Sequence, residues 1–90
     1  MNNKRILKKV INGACAEMFA EALAFSHYSG NVDEENAKSL LASIVKTNDD
    51  FIRRVSHPEP GMKPKVYYKI LWEDFQKSFN ELIDYINNIG

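Results

Sequence analysis

Apolar residues recur every three or four positions along most of the chain, which is the spacing of one face of an α-helix. The first apolar stripe consists of Leu7, Val10, Ile11, Ala14, Met18, Ala22 and Phe25. The second consists of Ala37, Leu40, Leu41, Ile44, Phe51, Ile52 and Val55. The third consists of Tyr68, Leu71, Phe75, Phe79, Leu82, Ile86 and Ile89. Because no segment alternates apolar and polar residues as a strand does, the pattern predicts three helices over about residues 3–29, 32–56 and 64–88.

Two clusters of helix-breaking residues separate the three stripes. Gly30 suits a left-handed cap at the end of the first helix, and Asn31 with Glu34 resembles a capping box that starts the second. Pro58 disfavours helical geometry at the residue before it, so the second helix should end just ahead of it. Pro64 suits the first turn of the third helix.

The lengths of these segments predict the architecture. Long helices joined by short connections pack antiparallel. Residues 1–90 are therefore predicted to form a single all-α domain, an up-down-up antiparallel three-helix bundle, either alone or completed as a larger bundle by dimerisation. A chain of 90 residues has room for one core and little for a deep substrate cleft.

Charge cancels overall, with 12 basic and 12 acidic residues, so composition gives no reason to expect nucleic acid or a membrane as a partner. The predicted fold nevertheless separates the charges, because two helix starts and one helix end meet at the same end of the bundle. We call this end the basic pole, and its members are Lys4, Arg5, Lys8, Lys9, Arg53, Arg54, Lys63, Lys65 and Lys69. Asp49 and Asp50 precede Arg53 and Arg54 by four residues and are expected to neutralise them in part.

An apolar pair at the basic pole predicts a partner-binding surface. Helical projection places Val66 and Ile70 away from the third apolar stripe, so both should be exposed. The other members of this surface are predicted to be Met62, Lys63, Lys65, Tyr67 and Lys69. Apolar side chains rimmed by lysines suit a protein contact, with an acidic protein as the partner. The alternative is two scattered surface residues that bind nothing.

The first helix is apolar over more than one face, which predicts self-association. Ala16, Phe19, Ala20 and Leu23 project to the side opposite its core stripe, and such a helix needs more than two neighbours. A second copy of the chain is the simplest extra neighbour, because two-fold homodimers are the commonest oligomers. The alternative is that the other two helices cover this surface within one monomer.

Catalytic, metal and cofactor sites find little support in the sequence. His27 and His57 are expected near opposite ends of the bundle, and Cys15 lies in an apolar pattern typical of a buried thiol. Glu17 and Glu21 are one helical turn apart but lack the Glu-x-x-His motifs of bundle metal sites. No glycine-rich phosphate loop or zinc-ligand spacing occurs. We therefore expect no enzyme activity, no cofactor and no metal.

One polar residue interrupts the second stripe. Asn48 stands where the repeat requires an apolar residue, so it should face the core. An unpaired amide there is costly, which predicts that Asn48 is hydrogen-bonded and helps to fix helix register.

The expected function is that of a small non-catalytic protein-interaction or regulatory module, acting as a homodimer. A single cysteine cannot form an internal disulfide, which favours the reducing cytoplasm. No stretch approaches the ~18 uninterrupted apolar residues of a membrane-spanning helix, so no membrane partner is expected. The alternative function is nucleic-acid or phosphate-ligand binding through the basic pole, with Tyr67 and Tyr68 available for base stacking. The neutral overall charge disfavours that alternative.

Overall fold

Three α-helices make up almost all of the structure, a computed structural model that describes residues 4–28 and 33–88. Helix α1 spans Lys4–Tyr28, α2 spans Glu34–Ser56 and α3 spans Pro64–Asn88. No β-strand occurs in the described ranges, and the contacts of α2 with α1 and with α3 form a helical bundle. The predictions of an all-α fold and of a three-helix bundle are confirmed.

The boundaries of α2 and α3 follow from local chemistry. Asp33 precedes α2 with extended backbone geometry, and its carbonyl oxygen accepts the first helical hydrogen bond from Ala37 at 2.9 Å. The acidic first turn of α2 suits the positive end of the helix dipole. The Gly30 cap and the Asn31 capping box predicted for the preceding link lie outside the described residues.

The link between α2 and α3 contains a tight turn. The amide of Met62 donates a hydrogen bond to the carbonyl oxygen of Glu59 at 3.3 Å, and Gly61 has a φ of +87°. With Pro60 at the second position and glycine at the third, this is the arrangement of a type II turn. Pro64 then begins α3, where its missing amide hydrogen costs nothing.

The core lies along α2, which packs against both other helices. Its buried residues are Leu7, Ile11, Cys15, Met18, Ala22, Leu40, Ile44, Phe51, Val55, Tyr67, Leu71 and Phe75. Phe51 and Phe75 meet edge to face, with ring centroids 5.3 Å apart. This geometry is the favoured one for an aromatic pair and joins α2 to α3 at the centre of the bundle.

The contacts define the direction of each helix. Tyr68 contacts Val55 and Phe75 contacts Phe51, so α3 runs antiparallel to α2. Val10 shares a groove with Trp72, and farther along both helices Glu21 shares one with Asn87. Helix α3 therefore runs parallel to α1, although the two approach each other less closely than either approaches α2.

Two details of the predicted core are wrong. Val10 was assigned to the core but is exposed, because α1 turns the side that carries Ile11 and Cys15 toward α2. Asn48 was predicted to be hydrogen-bonded, yet its buried Oδ1 accepts no hydrogen bond from the described protein groups. The exposure of Val10 reflects the angle at which neighbouring helices share a face, which apolar spacing does not determine.

The molecule is elongated and has a large surface for its size. It measures 49 × 18 × 16 Å, and its radius of gyration of 14.8 Å exceeds the ~12 Å expected of a compact domain of this length. None of the described helices is long and apolar enough to cross a membrane.

Candidate functional site

Two tyrosines fix the junction between α2 and α3. The hydroxyl of Tyr67 donates to the carbonyl oxygen of Arg54 at 2.8 Å and lies 3.3 Å from that of His57. The hydroxyl of Tyr68 donates to the carbonyl oxygen of Val55 at 3.0 Å. These carbonyls belong to the end of α2, where helical acceptors lack intrahelical partners. The tyrosines therefore cap α2 and hold the start of α3 against it.

This geometry corrects the expectation for both tyrosines. Tyr67 was predicted to belong to the exposed partner-binding surface, but it is buried in the core. Tyr68 is half-buried and packs edge to face on Tyr67, with ring centroids 5.2 Å apart. Because both hydroxyls and much of both rings are engaged, neither ring is free to stack on a base.

The other residues of the predicted partner-binding surface lie together at the start of α3. Val66 and Ile70 retain 46% and 40% of their accessible surface, one helical turn apart on the outer side of α3. Around them Lys63, Lys65 and Lys69 are exposed. Met62, the remaining predicted member, is half-buried and packs against the core. We call the four exposed α3 residues with Lys63 the Val66/Ile70 surface.

Arg54, a predicted member of the basic pole, is already paired. Its Nη2 lies 2.9 Å from Oδ2 of Asp74 on α3, and its guanidinium stands 5.0 Å above the centroid of the Phe51 ring. The local pairs predicted for this region are not formed, since neither Asp49 with Arg53 nor Asp50 with Arg54 makes an ion pair. Asp74 reaches Arg54 from the neighbouring helix, a partner that sequence spacing does not reveal.

The rest of the basic pole is spread over separate surfaces. A shallow depression on α1 is lined by Lys4, Arg5, Lys8, Lys9, Asn12 and Gly13. Another depression, on α2, contains Arg53 with Asp50 and His57. The basic residues are thus not gathered into one concave site, and acidic side chains are interspersed on α2 and α3.

The predicted self-association face is exposed on α1. Ala16, Ala20 and Leu23 face outward, and Phe19 is half-buried. Phe19 lies in a shallow α1/α2 groove whose other lining residues are Leu41, Ala42, Val45, Lys46, Asp49, Asp50 and Arg53. Half of that lining is charged, so the apolar part of the face is narrow.

A largely apolar groove lies between α1 and α3, and sequence reasoning missed it. Its first stretch is lined by Val10, Ala14, Trp72, Phe75, Gln76, Phe79 and Asn80. Its second stretch is lined by Ala14, Glu17, Met18, Glu21, Phe79, Ile83, Ile86 and Asn87. We call the two together the α1/α3 groove.

Aromatic contacts connect the α1/α3 groove to the core. Phe75 contacts Trp72 at 5.7 Å and Phe79 at 5.6 Å between ring centroids, and its far side meets Phe51. Trp72 and Phe79 are half-buried, so one side of each remains open to the groove. The signal available in the sequence was the width of the third stripe, since Trp72 and Ile83 flank it.

The described residues contain neither an activated thiol nor a metal-binding cluster. Burial raises the pKa of the Cys15 thiol, which disfavours the nucleophilic thiolate. No cluster of three or more histidine, cysteine, aspartate or glutamate side chains that could hold a metal ion occurs within residues 4–28 and 33–88. The candidate functional features are the Val66/Ile70 surface and the two grooves.

Comparison of the chain with protein-family models, curated proteins and solved structures finds no match.

Proposed function

We propose that this protein is a non-catalytic protein-interaction module that acts as a homodimer in the cytoplasm and binds an acidic protein partner through the Val66/Ile70 surface. The observation that carries the proposal is the exposure of Val66 and Ile70 at 46% and 40% among three exposed lysines. Apolar side chains within a charged rim are the usual anatomy of a protein contact.

The rigidity of the helix junction supports this proposal. Because Tyr67 and Tyr68 tie the start of α3 to the end of α2, the Val66/Ile70 surface keeps its shape before a partner arrives. A preorganised surface loses less conformational entropy on binding than a mobile one. The first turn of α3 also contains no acidic residue, so the positive end of its dipole adds to the lysine charges.

The two kinds of side chain contribute differently. Complete burial of a Val or Ile side chain stabilises by about 1.5–3 kcal/mol, and roughly half of that remains available for each half-exposed residue. Exposed lysine and carboxylate pairs contribute only ~0–1 kcal/mol each. The apolar pair thus supplies much of the contact energy, while the lysines favour acidic partners and accelerate association.

Nucleic-acid binding is the weaker alternative. Its stacking platform requires exposed aromatic rings, whereas Tyr67 and Tyr68 are engaged with α2. Its phosphate contacts require free cations, whereas Arg54 is paired with Asp74. The lysines of α3 remain the feature that favours it.

The test is a titration with a fluorescently labelled acidic peptide that carries leucines at helical spacing, followed by fluorescence anisotropy. We expect the combined Val66→Ser and Ile70→Ser variant to raise the dissociation constant at least about tenfold, because tenfold corresponds to 1.4 kcal/mol and the pair contributes about that much or more. Val45→Ser is the matched control, because Val45 is 48% exposed on α2, away from this surface, and its replacement should leave binding unchanged.

The contradicting results are equally definite. Absence of peptide binding, or binding that survives the double substitution, removes the Val66/Ile70 surface as the partner site. A labelled oligonucleotide is titrated in parallel at low and physiological salt. If it binds more tightly than the peptide and its affinity falls steeply with salt, the nucleic-acid alternative replaces the proposal.

A further inference from the structure

The α1/α3 groove is an apolar surface that the bundle itself does not cover. Val10 and Ile83 on its edges are exposed, while Trp72, Phe79 and Ile86 are half-buried. Helix α2 packs against α1 and α3 from the other side, and α1 and α3 do not close the gap between them. The groove therefore resembles the face of a larger helical bundle from which the covering helices are absent.

The surface area of the chain indicates how much remains to be covered. The accessible surface is 6354 Å². A folded monomer of this mass is expected to expose about 5,400 Å², so the excess is about 1,000 Å². Each partner in a standard protein interface buries about 800 Å². The excess surface is of the size that one dimer interface removes.

We propose that the α1/α3 groove packs against the same groove of a second copy of the chain, with the two copies antiparallel across a two-fold axis. This inference rests on the proposed homodimer and identifies its interface. It also replaces the self-association face predicted around Phe19 and Leu23. A two-fold interface pairs one patch with itself, and an apolar groove between parallel helices is suited to such a contact.

Charge along the groove favours the antiparallel arrangement. Lys65 and Lys69 belong to the Val66/Ile70 surface, and because they stand seven and three residues before Trp72 they also border the groove side of α3 near the basic pole. Glu17 and Glu21 line the groove at its other end. An antiparallel dimer places the lysines of each copy beside the glutamates of the other, whereas a parallel dimer places like charges together.

The lining of the two grooves favours this interface over the α1/α2 groove. Four charged side chains, Lys46, Asp49, Asp50 and Arg53, line the α1/α2 groove. The α1/α3 groove contains only two, Glu17 and Glu21, and both lie in its second stretch. The centre of a stable interface is depleted in charge and enriched in aromatic residues such as Trp72 and Phe79.

The first test compares two matched substitutions by sedimentation equilibrium over micromolar to millimolar concentrations. Ile83→Glu places a charge in the α1/α3 groove, and Leu23→Glu places one on the face predicted from sequence. The two residues have similar exposures of 37% and 40%, so both variants should fold. We expect Ile83→Glu to raise the dimer dissociation constant more than about tenfold and Leu23→Glu to leave it unchanged.

A second groove variant distinguishes loss of the interface from misfolding of Ile83→Glu. Asn80 is exposed and lines the groove, so Asn80→Lys should retain the helical circular dichroism of the wild type and still weaken the dimer. If both groove variants remain dimeric while Leu23→Glu dissociates, the inference is overturned but the homodimer stands. If the wild type is monomeric throughout, the homodimer fails with it, while the Val66/Ile70 surface is judged separately by its peptide titration.

A charge exchange tests the antiparallel arrangement. One variant carries Glu17→Lys and Glu21→Lys, and the other carries Lys65→Glu and Lys69→Glu. In an antiparallel dimer each variant alone meets like charges and should dimerise more weakly than the wild type, whereas an equal mixture should form heterodimers. If each variant alone dimerises as tightly as the wild type, the antiparallel arrangement is wrong.

Discussion

The hydroxyl of Tyr67 lies 2.8 Å from the carbonyl oxygen of Arg54 and donates a hydrogen bond to it. This contact joins the buried start of α3 to the last turn of α2, thirteen residues earlier in the chain. It satisfies a carbonyl that the helix itself leaves without a partner. The position of the Val66/Ile70 surface relative to the rest of the basic pole depends on this junction.

Removal of the tyrosine hydroxyls should destabilise the protein without unfolding it. We expect Tyr67→Phe to lower the free energy of unfolding by about 1–2 kcal/mol, because a part-buried carbonyl loses a hydrogen-bond partner. Tyr68→Phe should have a similar but smaller effect. Urea denaturation measures both. Tyr85→Phe is the control, since Tyr85 is exposed and makes no hydrogen bond in the described part of the chain. If Tyr85→Phe lowered the free energy of unfolding as much as Tyr67→Phe does, the capping role would be wrong.

The turn before α3 should require glycine at position 61. Its φ of +87° is strained for any residue with a Cβ, although a Cβ there meets no atom within 4 Å. We therefore expect Gly61→Ala to lower the free energy of unfolding by about 1–2 kcal/mol through backbone strain alone. Gly13→Ala is the control, because Gly13 lies inside α1 and alanine there should stabilise the helix by up to about 1 kcal/mol. Equal effects of the two substitutions on thermal denaturation would contradict this explanation.

Asn48 should limit stability. Its buried Oδ1 accepts no hydrogen bond from the described protein groups, and an unsatisfied buried acceptor costs about 1–3 kcal/mol. Asn48→Leu removes the amide and keeps a side chain of similar branched shape. We expect a free energy of unfolding about 1 kcal/mol higher than that of the wild type, as determined by urea denaturation. A decrease would indicate that the amide is satisfied in solution.

Cys15 should make the free energy of unfolding decrease with rising pH in the alkaline range. Burial raises the pKa of its thiol, so the folded chain holds this proton more tightly than the unfolded chain does. The stabilisation is complete below the ordinary thiol pKa of about 8.5 and is lost as pH rises through the higher folded value. Other groups titrate in this range, and subtraction of the same profile for Cys15→Ala isolates the thiol. A difference between the profiles that stays constant with pH would contradict the shift.

The sequence predicted the fold because its signals are local. Apolar spacing specified the helices. Pro58 and Pro64 marked the link between the second and third of them, and α2 indeed ends at Ser56 and α3 begins at Pro64. The position of Val10 was wrong because apolar spacing identifies a stripe but not the angle at which two helices share it. The α1/α3 groove depends on that angle, so the sequence carried only an indirect sign of it, the width of the third stripe at Trp72 and Ile83.

The side-chain contacts between helices could not be predicted from the sequence for a related reason. Arg54 has Asp50 four residues before it, yet it pairs with Asp74 on the adjacent helix. Tyr67 has lysines as its neighbours in the sequence, which is typical of a surface residue. It is nevertheless buried, because a carbonyl oxygen at the end of α2 lies within reach of its hydroxyl. In both cases the deciding partner is distant in sequence and is brought close only by helix packing.

The fluorescence of Trp72 reports on the proposed dimer interface, because Trp72 is the only tryptophan in the sequence and it lines the α1/α3 groove. The measurement follows its emission maximum and the molar mass together as protein concentration rises. We expect the emission maximum to shift to shorter wavelength as the mass doubles, because a second copy excludes water from the groove. Doubling of the mass without a change in emission would place the dimer interface elsewhere, and a mass that stays monomeric would contradict self-association.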